Sequence, residues 1–265
     1  MRSGLEIQSC LLHQIAMEND KLYSNFPDER LAASLEIDGK SIIEEIKKIK
    51  QYYWFGSGNA WVVFLGSSPG GSPPKGKEDK SNYKSEILFS SSTNHFAQTN
   101  DGRGFWKKIV EYSKTLFPKV PDNDLYRLML AGNLMEIQEG DSTKLNNEEL
   151  KKGATESFKV ISIVRPKLII CLQKNVYELI YELAKGIDNE LIKCEGVLQI
   201  NSGTKRNVKY KVPVNYFKSK DKYWGKWILT RTPMHPSRSN FCVDKNFKEQ
   251  FLEELKFFAN EYLNL

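Results

Sequence analysis

The segment Trp61-Val62-Val63-Phe64-Leu65-Gly66 is apolar through Leu65 and runs into a Ser-, Pro- and Gly-rich stretch. A short apolar run without alternation, ended by turn formers, is the pattern of a strand buried on both faces, and such a strand needs cover on each side of its sheet. Leu168 to Leu172 repeats the pattern, and Leu125 to Leu134 and Trp227 to Arg231 are further strand candidates. Helical spacing appears between and after them. Phe105 to Leu116 carries Trp106, Ile109, Val110 and Leu116 and stops at Pro118; a second stretch carries Leu150, Ala154, Phe158 and Ile161; a third carries Val176, Leu179, Ile180 and Leu183 and ends at Gly186; Phe247, Phe251, Leu255 and Phe258 make a fourth. Strands alternating with helices imply parallel pairing through right-handed crossovers. The expected fold is α/β, with three layers α/β/α around a central, mostly parallel four-stranded sheet.

Upstream, Ser41-Ile42-Ile43-Glu44 fits a capping box, so residues 1–52 read as an N-terminal helical extension packed on a domain spanning 53–265. Alternation around Asn201-Ser202-Gly203 predicts a basic β-hairpin inserted at about 195–220. Met1 to Ala16 is interrupted by Glu6, Gln8, His13 and Gln14 and lacks the apolar centre of a secretion signal, and no apolar run approaches the roughly 20 residues of a membrane span. Cys10, Cys171, Cys194 and Cys242 are widely spaced, without the C-x-x-C pairs of zinc or iron–sulfur sites. The expectation is a soluble cytoplasmic monomer with reduced thiols, no membrane contact, no metal and no cofactor. Cys171, inside an apolar run, reads as a small core residue.

In a parallel sheet, ligands bind beyond the carboxyl ends of the strands, so the residues after each strand are the informative ones. Gly66-Ser67-Ser68-Pro69-Gly70-Gly71 comes after the first, Gly132-Asn133-Leu134 closes the second, and Thr232-Pro233-Met234-His235-Pro236-Ser237-Arg238-Ser239 comes after the last. Gly71 to Lys77 satisfies the spacing of a phosphate-binding loop, G-x-x-x-x-G-K. Glu78 nevertheless stands where a Ser or Thr should meet magnesium, Pro73 and Pro74 remove two backbone donors, and no apolar helix comes next.

Four ordered segments carry a resemblance: Gly66-Ser67-Ser68-Pro69, Asn133, Arg165-Pro166-Lys167 before a strand, and His235-Pro236-Ser237 after the last one. Together they resemble the uracil-DNA glycosylase superfamily over roughly residues 60 to 260, a span of one domain. Asn94-His95-Phe96-Ala97 and Gly104-Phe105-Trp106-Lys107 are similar to the mismatch-specific branch. The resemblance implies an enzyme that hydrolyses the N-glycosidic bond of a deaminated or modified, uracil-like base in single- or double-stranded DNA. Asn133 would read the base edge, since its amide offers an acceptor and two donors in one plane; its ordinary reading is a turn or cap residue. Phe96, with Phe89 in reserve, would stack on the base, or is core filler. Gly66 and Pro69 would border the base, and His235 would donate to the oxygen on which negative charge accumulates. Gly70, Gly71, Ser237 and Ser239 would receive phosphates, and Arg238 would enter the gap left by the flipped base or contact another phosphate.

Two departures shape the expectation. The variable positions of G-x-x-P are Ser67 and Ser68, and a neutral hydroxyl is a poor general base, so Ser68 would position water unless Glu78, Asp79, Asp101 or Glu136 substitutes. Ser239 is too small for an aliphatic wedge. The alternative is a catalytically inactive nucleic-acid or base-binding protein on the same fold.

Charge placement bears on the partner. The chain is +6, and the stretch Lys205 to Lys226 alone is +7, with Lys205, Arg206 and Lys209 leading it and Tyr210, Tyr216, Phe217, Tyr223 and Trp224 interleaved. Basic residues among aromatics suit a single strand, the rings stacking on bases and the ammonium groups tracking phosphates. The equally open reading is a solvated hairpin whose aromatics pack on the core.

Overall fold

The structure, a computed structural model, describes residues 48–49, 54–56, 58, 60–67, 105–118, 120, 125–135, 146–186, 189–201, 209–221, 224–233 and 249–257. In chain order the elements are β1 (Trp54–Gly56), β2 (Val62–Gly66), α1 (Phe105–Leu116), α2 (Leu125–Leu128), β3 (Met129–Asn133), α3 (Asn147–Val164), β4 (Leu168–Cys171), α4 (Lys174–Gly186), β5 (Asn189–Asn201), β6 (Lys209–Ser219) and β7 (Lys226–Arg231). A final helical stretch covers 249–257. The N-terminal extension expected over 1–52 lies outside the described residues except at 48–49, where Ile49 packs on the core.

The strands form one seven-stranded sheet in the order β1-β3-β2-β4-β7-β6-β5. Four of them, β3, β2, β4 and β7, run parallel, as the alternation of strands and helices implies. The expected four-stranded sheet is therefore enlarged at both edges. At one edge β1 pairs antiparallel with β3, a three-residue strand too short to announce itself by alternation. At the other, the expected insertion at about 195–220 starts earlier, at Asn189, and belongs to the main sheet: β6 pairs antiparallel with β7, and β5 with β6. The predicted strand over Leu125 to Leu134 is also divided. Leu125–Leu128 is a helical turn and the strand begins at Met129. Leu125 and Leu128 are both fully buried, and apolar burial alone does not tell a turn of helix from a strand.

Side-chain alternation divides the core in two. Val62, Phe64, Met129, Ala131, Ile170 and Ile228 face one way, under α1 and the 249–257 helix. Val63, Leu65, Leu130, Ile169, Cys171 and Leu229 face the other, under α3 and α4. Full burial of each such aliphatic chain contributes about 1.5–3 kcal/mol, which is why both faces are covered.

α3 shows how local chemistry sets an element. Asn146 Oδ1 accepts the Glu148 amide at 2.9 Å at its start, Glu148 and Glu149 complement the dipole, and Leu150, Ala154, Phe158 and Ile161 are buried as the spacing predicts. The helix stops at Arg165, whose backbone is left-handed (φ 55°) and whose N–H returns to the Ile161 carbonyl. Gly153 lets α3 approach the end of β3: an added Cβ would lie 2.8 Å from the Leu134 carbonyl carbon and closer still to its oxygen. Among the described residues no helix is long and apolar enough to cross a membrane.

In an exposed helix, Gly→Ala gains up to about 1 kcal/mol. At this contact the sign reverses: Gly153→Ala is expected to lose about 1–3 kcal/mol, because the obstacle is backbone. Urea unfolding measures it, and unchanged or increased stability refutes the close approach.

Candidate functional site

The chain leaves β2 toward α1 on one face of the sheet and leaves β4 into α4 on the other. A parallel sheet receives ligands beyond the carboxyl ends of such neighbouring strands. Hydrogen bonds carry the parallel pattern past the strand ends and hold this rim. The Leu134 and Met135 amides donate to the Gly66 and Ser67 carbonyls, each at 2.9 Å; the Leu172 amide donates to Leu65 and the Thr232 amide to Cys171, each at 2.8 Å. Thr232 Oγ1 adds a bond to the Leu172 carbonyl at 3.1 Å, tying the exit of β7 to that of β4.

Asn133 ends β3 in register with Gly66 at the end of β2. Its side chain is buried, and its Oδ1 occupies the space a Cβ at position 66 would fill. Glycine at 66 is thus what admits the carboxamide of 133 at the strand ends, and two segments of the resemblance meet in one contact. Ser67, next in the chain, is almost fully buried.

The other residues singled out from the sequence stand differently. Ser68, Pro69, Gly70, Gly71, Phe96, Ser237, Arg238, Ser239, Lys205, Arg206 and His235 lie outside the described residues, as do Phe89, Glu78, Asp79, Asp101 and Glu136. Lys209 begins β6, opposite Asn201. The Arg165-Pro166-Lys167 step lies at the opposite, amino-terminal end of β4, where it acts as a clamp. Arg165 Nε donates to Asp221 Oδ2 at 2.8 Å, Lys167 Nζ to the Trp224 carbonyl at 2.7 Å, and Trp224 Nε1 to the Pro166 carbonyl at 2.8 Å.

The basic segment matches the packed reading for its described aromatics. Tyr216, Phe217 and Trp224 are buried, Phe217 and Trp227 stack at 4.5 Å between centroids, and Trp224 and Trp227 at 4.7 Å. Tyr210 is partly buried against the other core cluster. Tyr216, Phe217 and Trp224 are thus core residues. Lys211, Lys218, Lys220 and Lys226 are exposed.

Two features of the rim escaped the sequence reading. Gln173 lies just past the end of β4, and its Oε1 is buried with no hydrogen-bond partner among the described residues, although the Tyr177 amide donates to its backbone carbonyl at 3.1 Å. Its position beyond a strand's carboxyl end is a signal present in the sequence, the same one that marks Gly66 and Asn133. The second is a polar cluster assembled from α4, β6 and β7. Asn215 Nδ2 donates to Tyr177 Oη, and Arg231 at the end of β7 senses both Tyr177 and Glu178 electrostatically. Burial works against ionisation of both: it lowers the Arg231 pKa and pushes the Tyr177 phenol up to about 12, partly opposed by the bond from Asn215. Burial also raises the pKa of the Cys171 thiol, which is a free core residue as its apolar run suggests. Among the described residues no group of His, Cys, Asp and Glu could hold a metal ion.

Comparison with protein-family models gives no match, and comparison with curated proteins gives none.

The phenol supplies a pH prediction. Its folded pKa lies above the value near 10 of an unperturbed tyrosine, so between about pH 10 and 12 the folded chain holds a proton the unfolded chain has released. Its contribution is complete below that window and is lost as pH rises through it. Stability measured from pH 8 to 12 is expected to fall less steeply in Tyr177→Phe than in the wild type; parallel curves would show that this phenol is not protected.

Proposed function

We propose that the chain is a DNA glycosylase of the uracil-DNA glycosylase superfamily, a monomer hydrolysing the N-glycosidic bond of a uracil-like base from a three-layer domain in the cytoplasm. The observation that carries the reading is the contact of Asn133 with the vacant Cβ position of Gly66 at the ends of adjacent parallel strands. A buried amide at the carboxyl end of a parallel strand is chemically suited to read a pyrimidine edge. A second supporting feature is the exit of β7 through Thr232 on the same rim, two residues before Met234-His235-Pro236-Ser237.

In this reading the flipped base stacks on Phe96 and pairs with Asn133. The C1′–N bond breaks with its electron pair moving onto the base, and His235 donates a hydrogen bond to the oxygen where that charge collects. Water held by Ser68 and its loop backbone adds to the electron-poor C1′, giving the sugar hydroxyl and releasing a proton. A serine in place of a general base fits a route in which the bond is largely broken before water attacks. The same Ser67-Ser68 pair favours the second reading, a protein that binds bases or nucleic acid on this fold without turnover.

Oligonucleotides carrying uracil, hypoxanthine or a thymine mismatch, single- and double-stranded, distinguish the two. The wild type is expected to leave alkali-labile abasic sites on at least one substrate. His235→Ala is expected to lower kcat about 10²–10³-fold with a smaller effect on binding, the usual cost of removing one preorganised donor. Asn133→Ala is expected to lower kcat/KM and abolish discrimination between bases. Binding without cleavage across the panel would sink the enzyme reading and leave the binding one.

A further inference from the structure

Tyr177, Asn215 and Arg231 bring together a phenol proton and a guanidinium that no described carboxylate pairs with. Tyr177 Oη accepts from Asn215 Nδ2, so the phenol keeps its own proton to give, and no acceptor for it exists among the described residues. Arg231 ends β7 in register with Cys171, on the α4 side of the sheet. Nη1 donates to the Thr232 carbonyl at 3.2 Å and Nη2 to the Lys211 carbonyl at 3.3 Å, which aims the guanidinium without neutralising it. Glu178, the one carboxylate whose charge it senses, is exposed and bonds Lys174 at 3.4 Å; among the described residues Arg231 forms no ion pair. A partly buried guanidinium is costly without a counter-charge and matches phosphate oxygens in geometry.

We propose that Arg231 and Tyr177, the latter oriented by Asn215, bind a phosphate oxyanion at the carboxyl end of β7. Three strand spacings separate β7 from β3, so the site lies about 14 Å along the rim from Asn133. Resting on the glycosylase reading, it holds a backbone phosphate of the strand whose base enters at Asn133. Exposed Lys211, beside Arg231 on β6, adds charge of the same sign.

The test is binding of a fluorescent single-stranded oligonucleotide by anisotropy over a range of salt, with inorganic phosphate as the second probe. Arg231→Gln is expected to weaken oligonucleotide binding about tenfold and to reduce the slope of log K against log salt by about 0.7, one phosphate contact. Tyr177→Phe weakens binding about threefold and leaves that slope unchanged, because it removes a neutral donor. Arg231→Lys restores the slope without the full affinity, a split that loss of folding does not produce. Lys218→Gln, at the far end of β6, changes neither. Inorganic phosphate is expected to shift the NMR signals of the Arg231 side chain in the wild type. If it does so while no oligonucleotide binds, the oxyanion site stands with free phosphate as its ligand and the DNA reading falls by itself. Oligonucleotide binding that Arg231→Gln leaves unaltered in affinity and slope overturns the proposal, and so does the absence of any phosphate shift.

Discussion

β2 is hydrogen-bonded along both edges, to β3 on one side and β4 on the other, and all five of its residues are buried. Water cannot satisfy its backbone, so every N–H and C=O must find a partner strand. That requirement sets the register of three strands at once. A slip of one residue would send Phe64 toward α3 and α4 and Leu65 toward α1, exchanging the two core clusters. The same slip would part Gly66 from Asn133. The contact of Gly66 with Asn133 is therefore a consequence of core registration.

Close backbone approaches do the rest. Trp54 of β1 lies across Gly132, where an added Cβ would stand 2.7 Å from its Cζ3, and Gly153 brings α3 against Leu134. Gly66, Gly132 and Gly153 thus lie on, before and behind the position of Asn133. Each removes a Cβ so that a larger group can occupy the space. Their joint effect is to bring neighbouring groups close to the end of β3, which restrains the Asn133 amide.

Much of this was legible because the decisive residues lie close together in sequence and obey a period. β2 and β4 are short uninterrupted apolar runs, and α1, α3 and α4 carry apolar residues three and four apart, so their existence and faces can be inferred from burial. β1 was not legible: three residues hold no period, and the strand ends at Gly56, whose φ of 114° has no sequence signature beyond glycine itself. The start of β5 was placed too late because a bulge between Ile192 and Gly196 breaks the alternation. In the site, Gly66 and Asn133 could be read from strand-end positions. Tyr177, Asn215 and Arg231 could not, since they are brought together only when α4, β6 and β7 pack, and none carries a motif.

The charge pattern changes meaning once the sheet is built. Read linearly, Lys205 to Lys226 is one +7 stretch. β6 runs antiparallel to β7, so Lys209 and Lys211 stand at the rim end, whereas Lys218, Lys220 and Lys226 stand at the other, about 30 Å away at 3.3 Å per residue. Exposed charges are screened beyond about 8 Å at physiological ionic strength, so the two ends act independently. The far end also has a structural neighbour, the Arg165–Asp221 pair and the Lys167–Trp224 clamp, which fix the turn before β7. Among the described residues only the near part of the stretch, Lys209 and Lys211, therefore stands at the rim end with Arg231. The alternation that buries Tyr216 on one face and Phe217 on the other takes both rings into the core, where a linear reading would count them beside the lysines. Under the glycosylase reading, the described residues offer the rim hydrogen bonding at Asn133 and few cations, which favours a ligand held at one base over one wrapped along the hairpin.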